Sequence, residues 1–148
     1  MARRLQKRIL EVRPDAKLVD APAEDLPFAD ASFDTVISTL VLCTVDDQAR
    51  ALRELRRVLR PGGKLLFIEH VRSDDEKLAR LQDRMMPINL RIAHGCHCNR
   101  RTLEGIRSAG FGVIAVEHDM LKHAPRFVRP LIVGVAEPSA DEGQGRSR

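Results

Sequence analysis

Residues 33–70 constrain the fold more than any other stretch. They read as an apolar strand, an amphipathic helix, a tight turn and a second apolar strand. Phe-Asp-Thr-Val-Ile-Ser over 33–38 is short and β-rich, as expected for a strand buried on both faces. Asp46 and Asp47 stand where a helix would begin, and their charge suits its N-terminal dipole. Leu52, Leu55, Val58 and Leu59 recur at helical spacing, with arginines and Glu54 between them. Pro61, Gly62 and Gly63 predict the end of that helix. Residues 64–69 predict a second buried strand. Strands joined this way form a right-handed parallel crossover. The unit therefore predicts an α/β sheet covered by helices on both faces.

The flanking chain adds simpler elements. Residues 1–12 carry Leu5, Ile9 and Val12 along one helical stripe, broken by Pro14. Residues 16–20 predict a short strand. Pro22 and Pro27 make 21–32 a loop. Residues 73–75 cap a helix carrying Leu78, Leu81 and Met85, which weakens at Pro87. Residues 89–101 fit no period. Thr102 caps a short helix with Leu103 and Ile106 inward, ended by Gly110. Residues 111–118 and 130–136 predict strands, and the lack of a helical pattern between them predicts an antiparallel pair. Gly110-Phe-Gly-Val-Ile-Ala115 matches a nucleotide-binding fingerprint in letters only. That fingerprint follows a strand and opens a helix, whereas here a helix precedes it and a strand follows.

At 148 residues the chain allows one domain, over 1–137, with residues 138–148 a Gly-, Ser- and charge-rich tail expected to be disordered. The net charge is +4. The basic cluster Arg3, Arg4, Lys7, Arg8 and Arg13 reads as a solvated helix face, with attraction to a membrane surface or nucleic acid as the other reading. With five Phe and neither Trp nor Tyr, the chain lacks stacking platforms, so no nucleic-acid partner is expected. Cys43, Cys96 and Cys98 do not make a disulfide framework, and a reducing, cytoplasmic setting fits them. Cys43 reads as a small core residue. No apolar run reaches the roughly 18 residues of a membrane span.

Ala23-Glu24-Asp25-Leu26-Pro27-Phe28, Ser32-Phe33-Asp34 and Leu59-Arg60-Pro61-Gly62-Gly63 together resemble the class I S-adenosylmethionine (SAM) methyltransferases of the type 11 group. Residues 38–43, Glu69-His70-Val71, and Gly95-Cys96-His97 with Asn99, Arg100 and Thr102 resemble the thiol methyltransferases and their bacterial relatives within it. The resemblance implies a Rossmann-like sheet, SAM as cofactor and a small-molecule acceptor, a thiol among the candidates. It implies that Ala23 and Glu24 meet the adenine edge, although Pro22 stands where many members carry Asp. Thr39 and Leu40 would flank the methionine part of SAM, plain packing being the other reading. His70 and His97 would lie on the acceptor side, or His70 would be a hydrogen-bonded structural histidine. Methyl transfer is an in-line displacement whose barrier falls mainly by positioning. A thiol of pKa near 8.5 is already partly ionised, so a weak base such as His suffices.

A SAM site in such folds also needs a glycine-rich turn after the first strand and an acidic residue ending the second. Neither precedes Ala16. The sequence therefore predicts an N-terminally truncated sheet with the first two strands missing. It predicts an exposed sheet edge prone to self-association or strand exchange. Alternatives to an active enzyme are a non-catalytic remnant and a half-domain completed by a partner chain. His94, Cys96, His97 and Cys98 are soft donors crowded into one short loop. Structural zinc sites use well-separated pairs, so no metal is expected from that loop.

Overall fold

The computed structural model describes Arg8, residues 11–93 and residues 95–139. Its elements are β1 (Phe33–Thr39), α1 (Gln48–Val58), β2 (Leu59–His70), α2 (Glu76–Ile92), α3 (Thr102–Ser108), β3 (Phe111–Met120), a 3-10 turn (Arg126–Val128) and β4 (Pro130–Pro138). The sheet order is β1-β2-β4-β3. β1 and β2 run parallel, whereas β4 is antiparallel to both β2 and β3. The expected crossover and the expected C-terminal antiparallel pair are both present, in a four-stranded mixed sheet.

Asp47 caps α1, its carboxylate accepting the Arg50 N–H at 2.9 Å. Ala51, Leu52, Leu55 and Val58 are buried along one stripe. Leu59 does not continue that stripe; it turns to extended backbone and pairs with Phe33. The strand thus starts before the Pro-Gly-Gly segment, which bulges from the ladder between Leu59 and Lys64. Gly62 supplies the positive φ that this bulge requires.

One face of the sheet holds the core. Leu65 and Phe67 on β2 and Ile132 and Ala136 on β4 pack with Leu52, Leu55 and Ile106 from α1 and α3. A Cβ at Gly134 would lie 2.5 Å from the Phe67 ring, so only glycine lets that ring cross β4. The opposite face is covered at its carboxyl end, where His70 and Leu131 are buried, and open farther along among the described residues. Ile37 is 69% exposed, Ile68 38% and Val133 37%. The expectation of a first strand buried on both sides is corrected: β1 alternates, with Val36 and Ser38 inward and Ile37 outward.

Other corrections have local causes. Residues 16–20 form no strand, because no neighbouring ladder is there to pair them; Leu18 and Val19 stay exposed. α2 runs through Pro87 to Ile92 and absorbs part of the unassigned 89–101 stretch. Its buried stripe is Ala79, Gln82, Met86 and Asn89, while Leu81 faces outward. Arg101, not Thr102, precedes α3, and Thr102 is fully buried against β2 instead. Gly110 has φ of 82° and ends α3 as expected, with β3 following it. Most of the helix expected over 1–12 lies outside the described residues, although Arg8, Glu11 and Val12 are helical. His94 and residues 140–148 of the expected tail also lie outside them.

Candidate active site at the carboxyl rim

Because β1 and β2 are parallel, Thr39 and His70 end at the same rim of the sheet. Three connections converge there: 40–47 after β1, 71–75 after β2 and 93–101 after α2. Open α/β sheets bind ligands outside this edge.

The first connection is shaped by one carboxylate. Glu69 is fully buried where the apolar run over 65–68 of β2 ends. Its Oε1 accepts from Ser38 Oγ at 2.7 Å and from the Val41 and Leu42 amides at 3.0 and 3.1 Å. Its Oε2 accepts the Cys43 amide at 3.1 Å. These charge-assisted bonds hold the turn after β1. Leu40 enters that turn with φ of 55°, a left-handed conformation unusual for leucine, and its amide bonds to the Ile68 carbonyl. Thr39 and Leu40 are both exposed on the rim.

The loop carrying Ala23 and Glu24 is fastened to the same place. Glu24 Oε1 accepts the Asp46 and Asp47 amides at 3.0 and 3.3 Å. Arg57 donates to the carbonyls of Leu26 and Phe28, to Asp30 and to Glu54, while Glu54 accepts the Leu26 amide. The Arg57 guanidinium, then the Leu26 amide, hold the Glu54 carboxyl down at about 2.

The third connection closes over the first. The His97 amide donates to the Cys43 carbonyl at 2.6 Å. Arg100 donates to the carbonyls of Leu42 and Val45 at 3.0 and 2.6 Å. Buried Gln82 reaches the carbonyls of Val71, Cys98 and Phe127 and accepts the Ser73 amide. Burial, then Arg100, pull the half-buried His97 imidazolium below its ordinary range.

The fold scatters the donors of the 94–98 loop. Cys98 Sγ accepts from Asn89, whereas Cys96 turns to Cys43 and His70. The sulfurs of Cys43 and Cys96 lie 3.7 Å apart, and His70 Nδ1 lies 3.8 and 3.4 Å from them. Either thiol can donate to the other. Hydrogen bonding to Cys96, then burial, push the Cys43 thiol up, while Cys43 pulls the Cys96 thiol down, so Cys96 ionises first. His70 is buried and its Nε2 has no partner among the described residues.

The rim thus gathers Ala23, Glu24, Thr39, Leu40, His70 and His97 around interlocked loops. Glu69, Gln82 and Arg100 hold those loops; the resemblance named Glu69 and Arg100 in its motifs without this bracing part, and Gln82 was given no role from sequence. The available signal was Glu69-His70 closing an apolar run, a place where ionisable residues need a reason. A cavity of about 570 Å³ opens beside the 71–75 connection, lined by Arg72, Ser73, Thr102, Arg107 and His118 among others, and includes none of the six. Of its arginines, Arg72, Arg80 and Arg101 are already engaged by Asp83, Glu76 and Glu104. The residues present suit one side of a SAM molecule, offering exposed backbone at Thr39-Leu40 and the braced Ala23-Glu24 loop. No glycine-rich turn following a strand and facing them occurs among the described residues.

A parallel crossover with loops gathered at its carboxyl rim is the architecture of the class I SAM methyltransferases, which this chain resembles in sequence and in fold. A family model described as "Methyltransferase domain" matches residues 1–67. Among curated proteins, the chain is 40% identical to human thiol S-methyltransferase TMT1B over 124 residues, covering 81% of this chain and 50% of the relative. It is 37% identical to human thiol S-methyltransferase TMT1A over 109 residues, 73% and 45% of the two chains. It is also 37% identical over 98 residues to the ubiquinone/menaquinone biosynthesis C-methyltransferase UbiE of Marinomonas sp., 63% and 39%. The chain spans about half the length of the thiol methyltransferases it matches. Among solved structures, a Bacillus halodurans protein assigned as a methyltransferase superposes with a TM-score of 0.68 at 16% identity, over 92% of this chain and 79% of that one. The [4+2]-cyclase SpnF superposes at 0.64 with 23% identity, over 94% and 61%. These likenesses establish the fold, and the cyclase is a reminder that fold alone does not assign chemistry.

Proposed function

We propose that this chain forms the carboxyl-rim part of a SAM-dependent methyltransferase acting on a small-molecule acceptor, with a thiol as the preferred class. The convergence of the 23–24 loop, Thr39-Leu40 and the 95–100 loop on one rim carries the reading. Identity to thiol S-methyltransferases favours sulfur as the methylated atom. In this reading Ala23 and Glu24 lie along the adenine, and Thr39 and Leu40 along the methionine portion. His97 stands on the acceptor side, where it orients the nucleophile and takes its proton, and His70 is buried there against the two thiols. SAM supplies the methyl group when bound. The rim contribution is positional: loops braced by Glu69 and Arg57 bind without first having to order.

A second reading has its own observation. The bare face of Ile37, Ile68 and Val133, together with the free edge of β1, is a surface that further strands would cover. In this reading the chain is a truncated sheet whose glycine-rich side is provided by other polypeptide, a partner chain or a second copy included. Calorimetric titration with SAM and S-adenosylhomocysteine, followed by assay of labelled-methyl transfer to small thiols, separates the two. Saturable binding with transfer supports the enzyme. A folded chain that gives neither heat nor transfer overturns it in favour of the half-domain.

A further inference from the structure

Cys43, His70 and Cys96 come from three separate segments: the turn after β1, the end of β2 and the connection after α2. All three are buried, and the described residues contain this one group of such donors. Donors crowded on the 94–98 segment alone cannot readily surround an ion, whereas the fold brings these three from separate segments.

We propose that Cys43, His70 and Cys96 form a binding site for one thiophilic divalent cation, zinc by the chemistry of the donors. Zinc bonds of about 2.3 Å to sulfur and about 2.0–2.1 Å to nitrogen define a tetrahedron. Its S···S edge is about 3.8 Å and its S···N edges about 3.6 Å, by geometry from those bond lengths. The observed separations are 3.7 Å between the sulfurs and 3.8 and 3.4 Å from sulfur to Nδ1. The ligand atoms therefore already span one face of that tetrahedron. Three protein ligands leave the fourth position to water or a small thiolate.

The surroundings fit a built site. Each ligand residue is pinned through its backbone by a different buried side chain. Glu69 accepts the Cys43 amide, Thr102 Oγ1 donates to the His70 carbonyl at 3.3 Å, and Asn89 Nδ2 donates to the Cys96 carbonyl at 2.7 Å. These backbone contacts hold the three residues in place. Among the described residues, His70 Nδ1 meets only the two sulfurs. Contacts to thiols are weak compensation for burying an imidazole; a metal bond is a strong one. Charge also balances. Two thiols lose their protons to solvent as the dication binds, so the buried cluster goes from neutral thiols to a neutral metal dithiolate.

The inference stands apart from the proposed activity. A chain that binds zinc and ignores SAM leaves it intact, and one that binds SAM without zinc leaves the methyltransferase reading intact. The test uses the full chain, stripped with chelator and kept reduced with a phosphine. Zinc is measured after equilibration with the metal alone and desalting. Cobalt(II) is titrated in parallel and read by its absorption. The expected result is one zinc per chain. Cobalt should show thiolate charge-transfer bands and the intense visible bands of a tetrahedral site. Cys43→Ser and Cys96→Ser should each lower retained zinc at least tenfold, whereas Cys98→Ser, whose thiol meets Asn89 instead, should retain it. Less than a tenth of an equivalent on the wild-type chain overturns the proposal, without reference to whether the variants fold. So does cobalt bound without thiolate bands.

Discussion

The two ends of β2 and its two faces are finished to different standards. At the carboxyl rim, buried polar groups are paired through long-range bonds: Glu69 to the turn after β1, Gln82 to three carbonyls, Arg100 to the 42–46 backbone. On the outer face, one residue from Glu69, Ile68 stands in solvent beside Val133. Hydrogen bonds are directional and fail when a partner is absent, so the rim loops have one conformation. Hydrophobic burial is undirected and satisfied by any apolar cover. The rim is therefore determined by this chain's own residues, and the outer face is left for whatever else packs on it.

The largest test of that contrast is Glu69→Ala. It strands the Val41, Leu42 and Cys43 amides and the Ser38 hydroxyl in a buried place. A loss of about 3–5 kcal/mol in urea unfolding is expected, given the cost of unsatisfied buried groups. Glu69→Gln keeps the volume but turns one end into a donor facing donors, and should recover less than half of that loss. A change under about 1 kcal/mol for the alanine variant, within the range of ordinary surface substitutions, would show that the rim is not held by this carboxylate.

The next test compares neighbours on β2. Leu65 lies in the core, fully buried, and Ile68 is 38% exposed on the other face. Leu65→Ala should cost about 2–4 kcal/mol through lost burial and the cavity left behind. Ile68→Ala should cost less than about 1 kcal/mol, since part of its surface is already in water. Equal losses would mean that the outer face is covered in solution, most directly by a second copy. Light scattering on the same samples would then show a dimer that Ile37→Lys disperses.

The same contrast explains what could be read from sequence. Apolar period located β1, α1 and β2, and the absence of helical period between 118 and 130 foretold the antiparallel pair. The rim residues Thr39 and His70 followed from where apolar runs stop. The inward side of α2 was not legible, because its stripe includes Gln82 and Asn89, while Leu81, one of the apolar residues read on that helix, faces outward. Those polar residues are buried because loop carbonyls await them, as far away as Phe127 for Gln82 and at Cys96 for Asn89, which no hydrophobic pattern records. Cys43, His70 and Cys96 are 26 to 53 positions apart, so their meeting depends on the assembled rim. The strand expected over 16–20 failed for the opposite reason: local propensity was suitable, and the ladder to use it was absent.

The smallest expected effect tests the outer brace of the rim. The Glu54 carboxyl is held at about 2 by Arg57 and the Leu26 amide, against about 4.3 for an unperturbed glutamate. Its folded-state pKa is depressed, so the unfolded chain binds the extra proton first as pH falls. The contribution of this pair is therefore complete above about pH 5 and is lost as pH falls from about 4 towards 2, by linkage. The pair is local to the 26–30 loop and α1, so the first consequence is release of that loop, before global unfolding. Amide exchange at Leu26, corrected for the intrinsic pH dependence of exchange, should lose protection over this interval while Leu66 in β2 keeps its own. Glu54→Gln should show the weakened Leu26 protection already at neutral pH and remove most of the acid dependence. If Leu26 and Leu66 lose protection together in the wild-type chain, the loop has no separate brace. The Ala23-Glu24 segment would then be held by the core rather than by the Arg57–Glu54 pair.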